Sequence, residues 1–338
     1  MPEWATVPDR SAADRTLYVV SAAAAVMPVL ALLFLTVQMV AVAAPALVYS
    51  GTDFLAGHIF TFGNLYGGDP SVQNGVTAPH GAAYGAAALV LGTLLTSIIA
   101  VVLAAPFGVG GVLLLVELPE WTQSLVSVVL EMLASIPSVV YGLWGILTFG
   151  PFLSHNVYPL VAASVGAWIP FFGGSTGYGQ GLLTAGLVLA IMIVPIVAAT
   201  TRELVRSVPA LTREGAVALG LTRYETIRTV TLPFVQAGIA AATLLGWARA
   251  LGETMAVLMI SGNALNILPH SIYAPTSTLA GTIAAMLDAA LTDATDMSLH
   301  ALAALGLVLL VLTLATNLVG RGLIRRLSSE ALPIGRGL

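Results

Sequence analysis

The chain has 338 residues, 58% of them apolar and only 8% charged, with a formal charge of −4. Soluble domains carry about a quarter of their residues as charges, so this composition excludes an ordinary water-soluble domain and implies an all-α integral membrane protein. The small negative charge makes no case for nucleic acid. Cysteine is absent, which removes disulfide and thiol chemistry, and so is lysine. A phosphate-cradling P-loop requires the lysine of G-x-x-x-x-G-K-[ST]. If ATP drives this protein, ATP and Mg belong to another subunit, and the chain itself binds no cofactor or metal.

Residues 1–16 are polar and form a predicted cytoplasmic tail with Arg10 and Arg15; an apolar run over 17–48 follows. It is about twice as long as a signal-peptide core, so it is read as an uncleaved first span. Residues 49–83, with Asp53, Asp69 and no arginine, read as an external loop, and the remaining membrane domain occupies 84–326. Its second span is 86–116, where Pro106 and Gly108 favour a bend. An acidic link at 117–120 leads to a third segment, 122–149, which turns apolar after Ile136-Pro137-Ser138.

Residues 150–179 carry no charge and are dense in Pro, Gly and aromatics, which suits an interfacial or re-entrant segment. A fourth span is expected at 181–201, a fifth at 234–260 and a sixth at 299–318, with a polar loop over 261–298 and a C-terminal tail at 327–338. Six spans put eleven of the twelve arginines on one side, which the positive-inside rule makes the cytoplasm, with both termini there. His58, His80, His155, His270 and His300 fall in or beside the outer loops without metal-ligand spacing.

Between the fourth and fifth spans, residues 202–233 hold Arg202, Arg206, Arg213, Arg223 and Arg228. Pro209 ends one helix, Thr212 is a plausible N-cap for the next, and Gly220 stops it. A helix over 213–220 would present Ala216, Ala218 and Leu219 as a small apolar face. An ordinary positive loop needs the arginines but not the spacing Glu214-Gly215-Ala216-x3-Gly220-x9-Val230-x-Leu232-Pro233. That spacing resembles the signature loop of ABC-transporter permeases, E-A-A-x3-G-x9-I-x-L-P, with Gly215 and Val230 as the departures. The resemblance implies that Arg213, Glu214, Gly215, Ala216, Ala218, Leu219 and Gly220 form a cytoplasmic coupling helix docked on an ATPase.

Arg249 and Glu253 lie in the fifth predicted span. Each ionised group at a bilayer centre costs roughly 2.5–3.5 kcal/mol on insertion scales, so such groups usually face a bundle interior and mark a substrate path. Their i, i+4 spacing would place both on one helix face, within pairing reach. A guanidinium fork matches a tetrahedral oxyanion, and a carboxylate can accept from the protonated oxygen that phosphate has and sulfate lacks. The competing reading is a pair that only pins neighbouring helices.

The run 249–257, together with Ser261-Gly262-Asn263 and the stretches 91–97, 136–145 and 181–186, resembles the permease subunits of phosphate-specific ABC importers, the PstC type. The resemblance implies the MetI-like fold of six transmembrane helices and four kinds of neighbour. These are a PstA-like second permease, two copies of a PstB-like ATPase, a PstS-like external phosphate-binding protein, and the lipid bilayer. Tyr141 and Trp144 suit either substrate contact or interface anchoring, and Glu131 either an interfacial or a gating role. Two alternatives stay open. One is a permease of the same class for another tetrahedral oxyanion, sulfate or molybdate; the other, an ion-coupled secondary transporter or channel, would also hold a charged pair in a span but has no use for the docking motif.

Overall fold

The computed structural model describes residues 12–330; the outer parts of both predicted tails, including Arg10 and Arg336, lie outside the described residues. Helix α1 (Ala12–Ser50) is followed by a small folded unit: α2 (Asp53–Ala56) and the strands β1 (Phe60–Thr61), β2 (Ser71–Gln73), β3 (Val76–Ala78) and β4 (Ala83–Tyr84). β1 pairs antiparallel with β4 and β2 with β3. The β2–β3 turn is Asn74-Gly75, both at positive φ (53° and 78°), as a two-residue hairpin requires. Phe60 and Tyr84 stack edge to face at 5.9 Å in its core. The loop expected over 49–83 is therefore a folded cap.

Next come α3 (Ala87–Leu115), α4 (Glu120–Ser135), α5 (Ser138–Trp144), α6 (Gly150–Asn156) and α7 (Tyr158–Ser164). The second half is α8 (Leu182–Arg206), α9 (Ala210–Ala218), α10 (Arg223–Thr226), α11 (Leu232–Leu251), α12 (Met255–Ile260), α13 (Leu279–Ala290) and α14 (Met297–Glu330). Among the described residues five helices are long and apolar enough to cross a bilayer, one of them the continuous run Arg223–Leu251. Six is reached if α4 and the α5–α7 segment, bent by 90° at the Ile136-Pro137 break, count as one span. Proline at the head of α5 removes a helical donor, and the Tyr141 hydroxyl donates across the break to the Leu133 carbonyl at 2.9 Å.

Lipid tails are as apolar as leucine, so close packing rather than expulsion from water holds such a bundle together. α3 and α8 form its central pair. A Cβ on Gly186 would stand 2.5 Å from Ile99, so only glycine permits that approach. Ala100, Ala104, Val188, Leu189, Ile193 and Val197 fill the contact, and α11 and α12 close it with Ala250 and Ile260. α1 is peripheral, exposed along most of its length, with Ala43, Ala46 and Tyr49 buried against the α14 side.

Two expectations change here. The polar loop over 261–298 contains a helix, α13, which Thr278 caps by accepting from the Gly281 N–H at 3.2 Å. The fifth span is not one helix: α11 ends at Leu251 and α12 begins at Met255. The break is imposed by packing, because α12 must turn to lie against Gly142, where a Cβ would meet Met259 Sδ at 2.8 Å.

Candidate functional site

At one end of the bundle α9 follows α8 and packs against α10 and the turn that leads into α11. Pro209, at φ −56°, occupies its N-cap, and Thr212 falls inside the first turn, donating its N–H to the Pro209 carbonyl at 3.1 Å. The predicted Thr212 cap is therefore corrected: proline already has helical φ and carries no N–H that needs an acceptor, so the helix starts directly after it. Gly220, at φ +87°, ends the helix. Its N–H reaches the Val217 carbonyl at 2.9 Å and that of Leu221 reaches Ala216 at 3.2 Å, the paired bonds of a Schellman cap. Thr222 and Glu225 form a capping box that restarts the chain as α10.

The predicted apolar face divides. Ala216 is buried against the bundle, whereas Ala218 and Leu219 are exposed, Leu219 at 83%. Leu211 and Val217 are exposed beside it, at 81% and 57%. Glu214 and Gly215 complete this outward surface, with Arg213 half-buried beside it; the surface borders a cavity of about 580 Å³ lined by Glu117, Arg213, Glu214, Val217 and Arg223.

Glu117, in the turn after α3, was not singled out by sequence. Its two carboxylate oxygens approach Arg213 at 3.6 Å and Arg223 at 3.7 Å, so one acid spans the ends of α9 and α10. Arg223 also donates to the Glu117 carbonyl at 3.4 Å. Glu117 is part-buried and Arg223 largely exposed, so each contact is worth at most about 1 kcal/mol. Their value lies in position: they tie the short helices to the foot of α3.

Within the membrane, Arg249 sits in the last turn of α11 and Glu253 in the break before α12. The two do not share a helix face, which corrects the expected i, i+4 pairing: the helix ends between them. Neither has an ion-pair partner among the described residues; Arg249 is exposed and Glu253 half-buried. Both line a cavity of about 540 Å³ with Ile196, Leu245, Ala248 and Gly252. Two residues before Arg249, the Trp247 indole N–H donates to Ser97 Oγ at 3.1 Å, which fixes the end of α11 to α3. The cavity therefore holds a forked donor and a nearby carboxylate with no ion pair between them.

Residues 107–329 match the family described as binding-protein-dependent transport system inner membrane component. The chain belongs to this permease family. Among relatives, the phosphate transport system permease protein PstC 1 of Mycobacterium tuberculosis is 49% identical over 317 residues, covering 93% of this chain and 94% of that protein. PstC of Pasteurella multocida is 39% identical over 251 residues, covering 73% and 77%. A solved structure of the MetNI methionine ABC transporter, titled as inward facing, aligns with a TM-score of 0.50 at 18% identity, covering 70% of this chain and 93% of that one. That likeness shows the fold. The permease is thus a multi-pass membrane protein of MetI-like fold and a transport subunit of an ABC complex, in which ATP hydrolysis lies on the ATPase. A secondary transporter or channel is set aside.

Proposed function

We propose that this permease is one of two in an ATP-driven importer that carries inorganic phosphate into the cytoplasm by alternating access. The observation that carries the cargo is the extent of the likeness to proteins named as phosphate permeases, 49% identity across 93% of the chain. It is supported by the unpaired Arg249 and the neighbouring Glu253 in one membrane cavity. A second, PstA-like permease covers the exposed face that carries Arg249. A PstB-like ATPase, in two copies, docks on the surface of Leu211, Val217 and Leu219, and a PstS-like binding protein delivers phosphate to the outer cap.

In this reading α9 transmits closure of the ATPase dimer. Gly220 and the Thr222–Glu225 box hold it at a fixed angle, and the continuous helix from Arg223 to Leu251 carries Arg249 in its last turn. Movement of the coupling helix is delivered to the Gly252 break. The arginine-rich end faces the cytoplasm, and both termini lie there. Labelled phosphate uptake in cells with and without this chain, with sulfate and molybdate as competitors, tests the cargo. Uptake that depends on the chain and resists both competitors is expected; unchanged phosphate uptake in a deletion strain lacking other transporters would overturn it.

A further inference from the structure

Between α4, the last turns of α8 and the start of α9 lies a separate cavity of about 620 Å³, at the same end of the bundle as the α9 surface. Arg202, Arg206 and Arg213 line it, the first two four residues apart and so on one face of α8. Ser124, Ser127 and Glu131 of α4 line it opposite, with Glu120.

Arginines near a membrane surface ordinarily extend outward into headgroups or water. Arg202 does not. Its Nε is buried without a hydrogen-bond partner, and a buried donor in that condition favours an acceptor brought from outside. Simple pairing with the glutamates across the cavity does not account for it, because no carboxylate among the described residues lies within the 4.0 Å ion-pair limit of Arg202 or Arg206. The space between guanidinium and carboxylate groups is the cavity itself.

We propose that this cavity is a second oxyanion site, for phosphate on the cytoplasmic side, and that its occupancy slows the importer when product accumulates. The inference rests on phosphate being the cargo. Arg202 and Arg206 donate to the unprotonated oxygens, and Glu131 accepts from the P–O–H group, an interaction that sulfate does not offer. Arg213 lines the cavity and also pairs with Glu117, so the anion draws α4, α8 and the coupling helix together. That contact opposes the relative movement of α9 that transport requires. Glu131 thereby acquires a specificity role in place of a gating one.

The test uses the complete transporter in proteoliposomes, with ATP and the ATPases inside, the binding protein and labelled phosphate outside, and unlabelled phosphate or sulfate sealed within. Uptake into phosphate-free vesicles reads the cargo, and its decline with internal phosphate reads the site. The native complex is expected to slow several-fold with internal phosphate and to ignore sulfate. Arg202→Gln and Arg206→Gln are expected to raise the half-inhibiting phosphate concentration about tenfold, with Arg202→Lys intermediate because it keeps charge but loses the fork. Glu131→Gln is expected to remove the discrimination against sulfate. Internal phosphate without effect on the native complex, or with the same effect on every variant, would overturn the proposal. Equal inhibition of the native complex by sulfate would reduce it to ionic screening and overturn it too. Absence of uptake even into phosphate-free vesicles would instead overturn the cargo, and the site with it.

Discussion

Two charged regions of this permease sit at opposite ends of one continuous helix and are built in opposite ways. At the end that carries α9, Arg213 and Arg223 are joined through Glu117, where water lowers the value of each pair. At the membrane end Arg249 and Glu253 remain apart, where pairing would be worth most and isolation costs most. Stability alone predicts the reverse arrangement. In the proposed reading, the Glu117 pairs fix a lever, and the charges at Arg249 and Glu253 are kept available for a transient partner.

The comparison breaks first at Arg249. Arg249→Ala removes one or two charge-assisted hydrogen bonds to cargo, each about 1.5–3 kcal/mol, so uptake is expected to fall at least tenfold. Assembly, followed by co-purification of the ATPase, is expected to survive; joint loss of assembly and uptake would return the arginine to a pinning role. A smaller effect is expected at the lever's stop. A Cβ on Gly220 meets nothing within 4 Å, so Gly220→Val acts through its φ of +87° alone, at about 1–2 kcal/mol. Uptake driven by ATP should drop several-fold, and Gly220→Asn, which tolerates this conformation, should restore much of it.

Glu117→Gln is expected to weaken ATPase association only two- to fivefold, within the roughly 1 kcal/mol of an exposed pair, and to matter less in high salt. Titrating the ATPase onto the permease at two salt concentrations checks this; an effect as large as that of Arg249→Ala would contradict the division of roles. The smallest effect on transport is expected at Asp293 in the loop before α14. Burial pushes its carboxyl up, but donors from Ser298 and Thr295 outweigh burial and hold it below the usual aspartate range. A carboxyl depressed in the folded state stabilises above its unfolded value and loses that contribution as pH falls through the folded one. Melting temperature should therefore decline in acid below the ordinary aspartate range, and Asp293→Asn should flatten that decline.

The long spans were legible because about 20 apolar residues leave few alternatives to a membrane helix. So was the stop at Gly220, since a glycine after a helical pattern commonly takes positive φ. Some local signals were present but unread: Asn74-Gly75 marks a hairpin, Thr222-x-x-Glu225 a capping box, and Thr278 before an apolar run a helix start. Others had no local signature. The break at 252–254 follows from how α12 packs on α5, and Glu117 meets Arg223 from 106 residues away in sequence. A sequence pattern reports what a segment does with its neighbours along the chain, and these features depend on neighbours in space.

The most direct test of the central claim, that Arg249 handles cargo while the α9 end handles coupling, is the number of ATP hydrolysed per phosphate moved by the reconstituted complex. Arg249→Ala should raise that number at least tenfold, since the ATPase still cycles while little phosphate crosses, whereas Glu117→Gln should lower both rates and leave their ratio near native. An Arg249→Ala complex with native rate and native ratio would contradict the account.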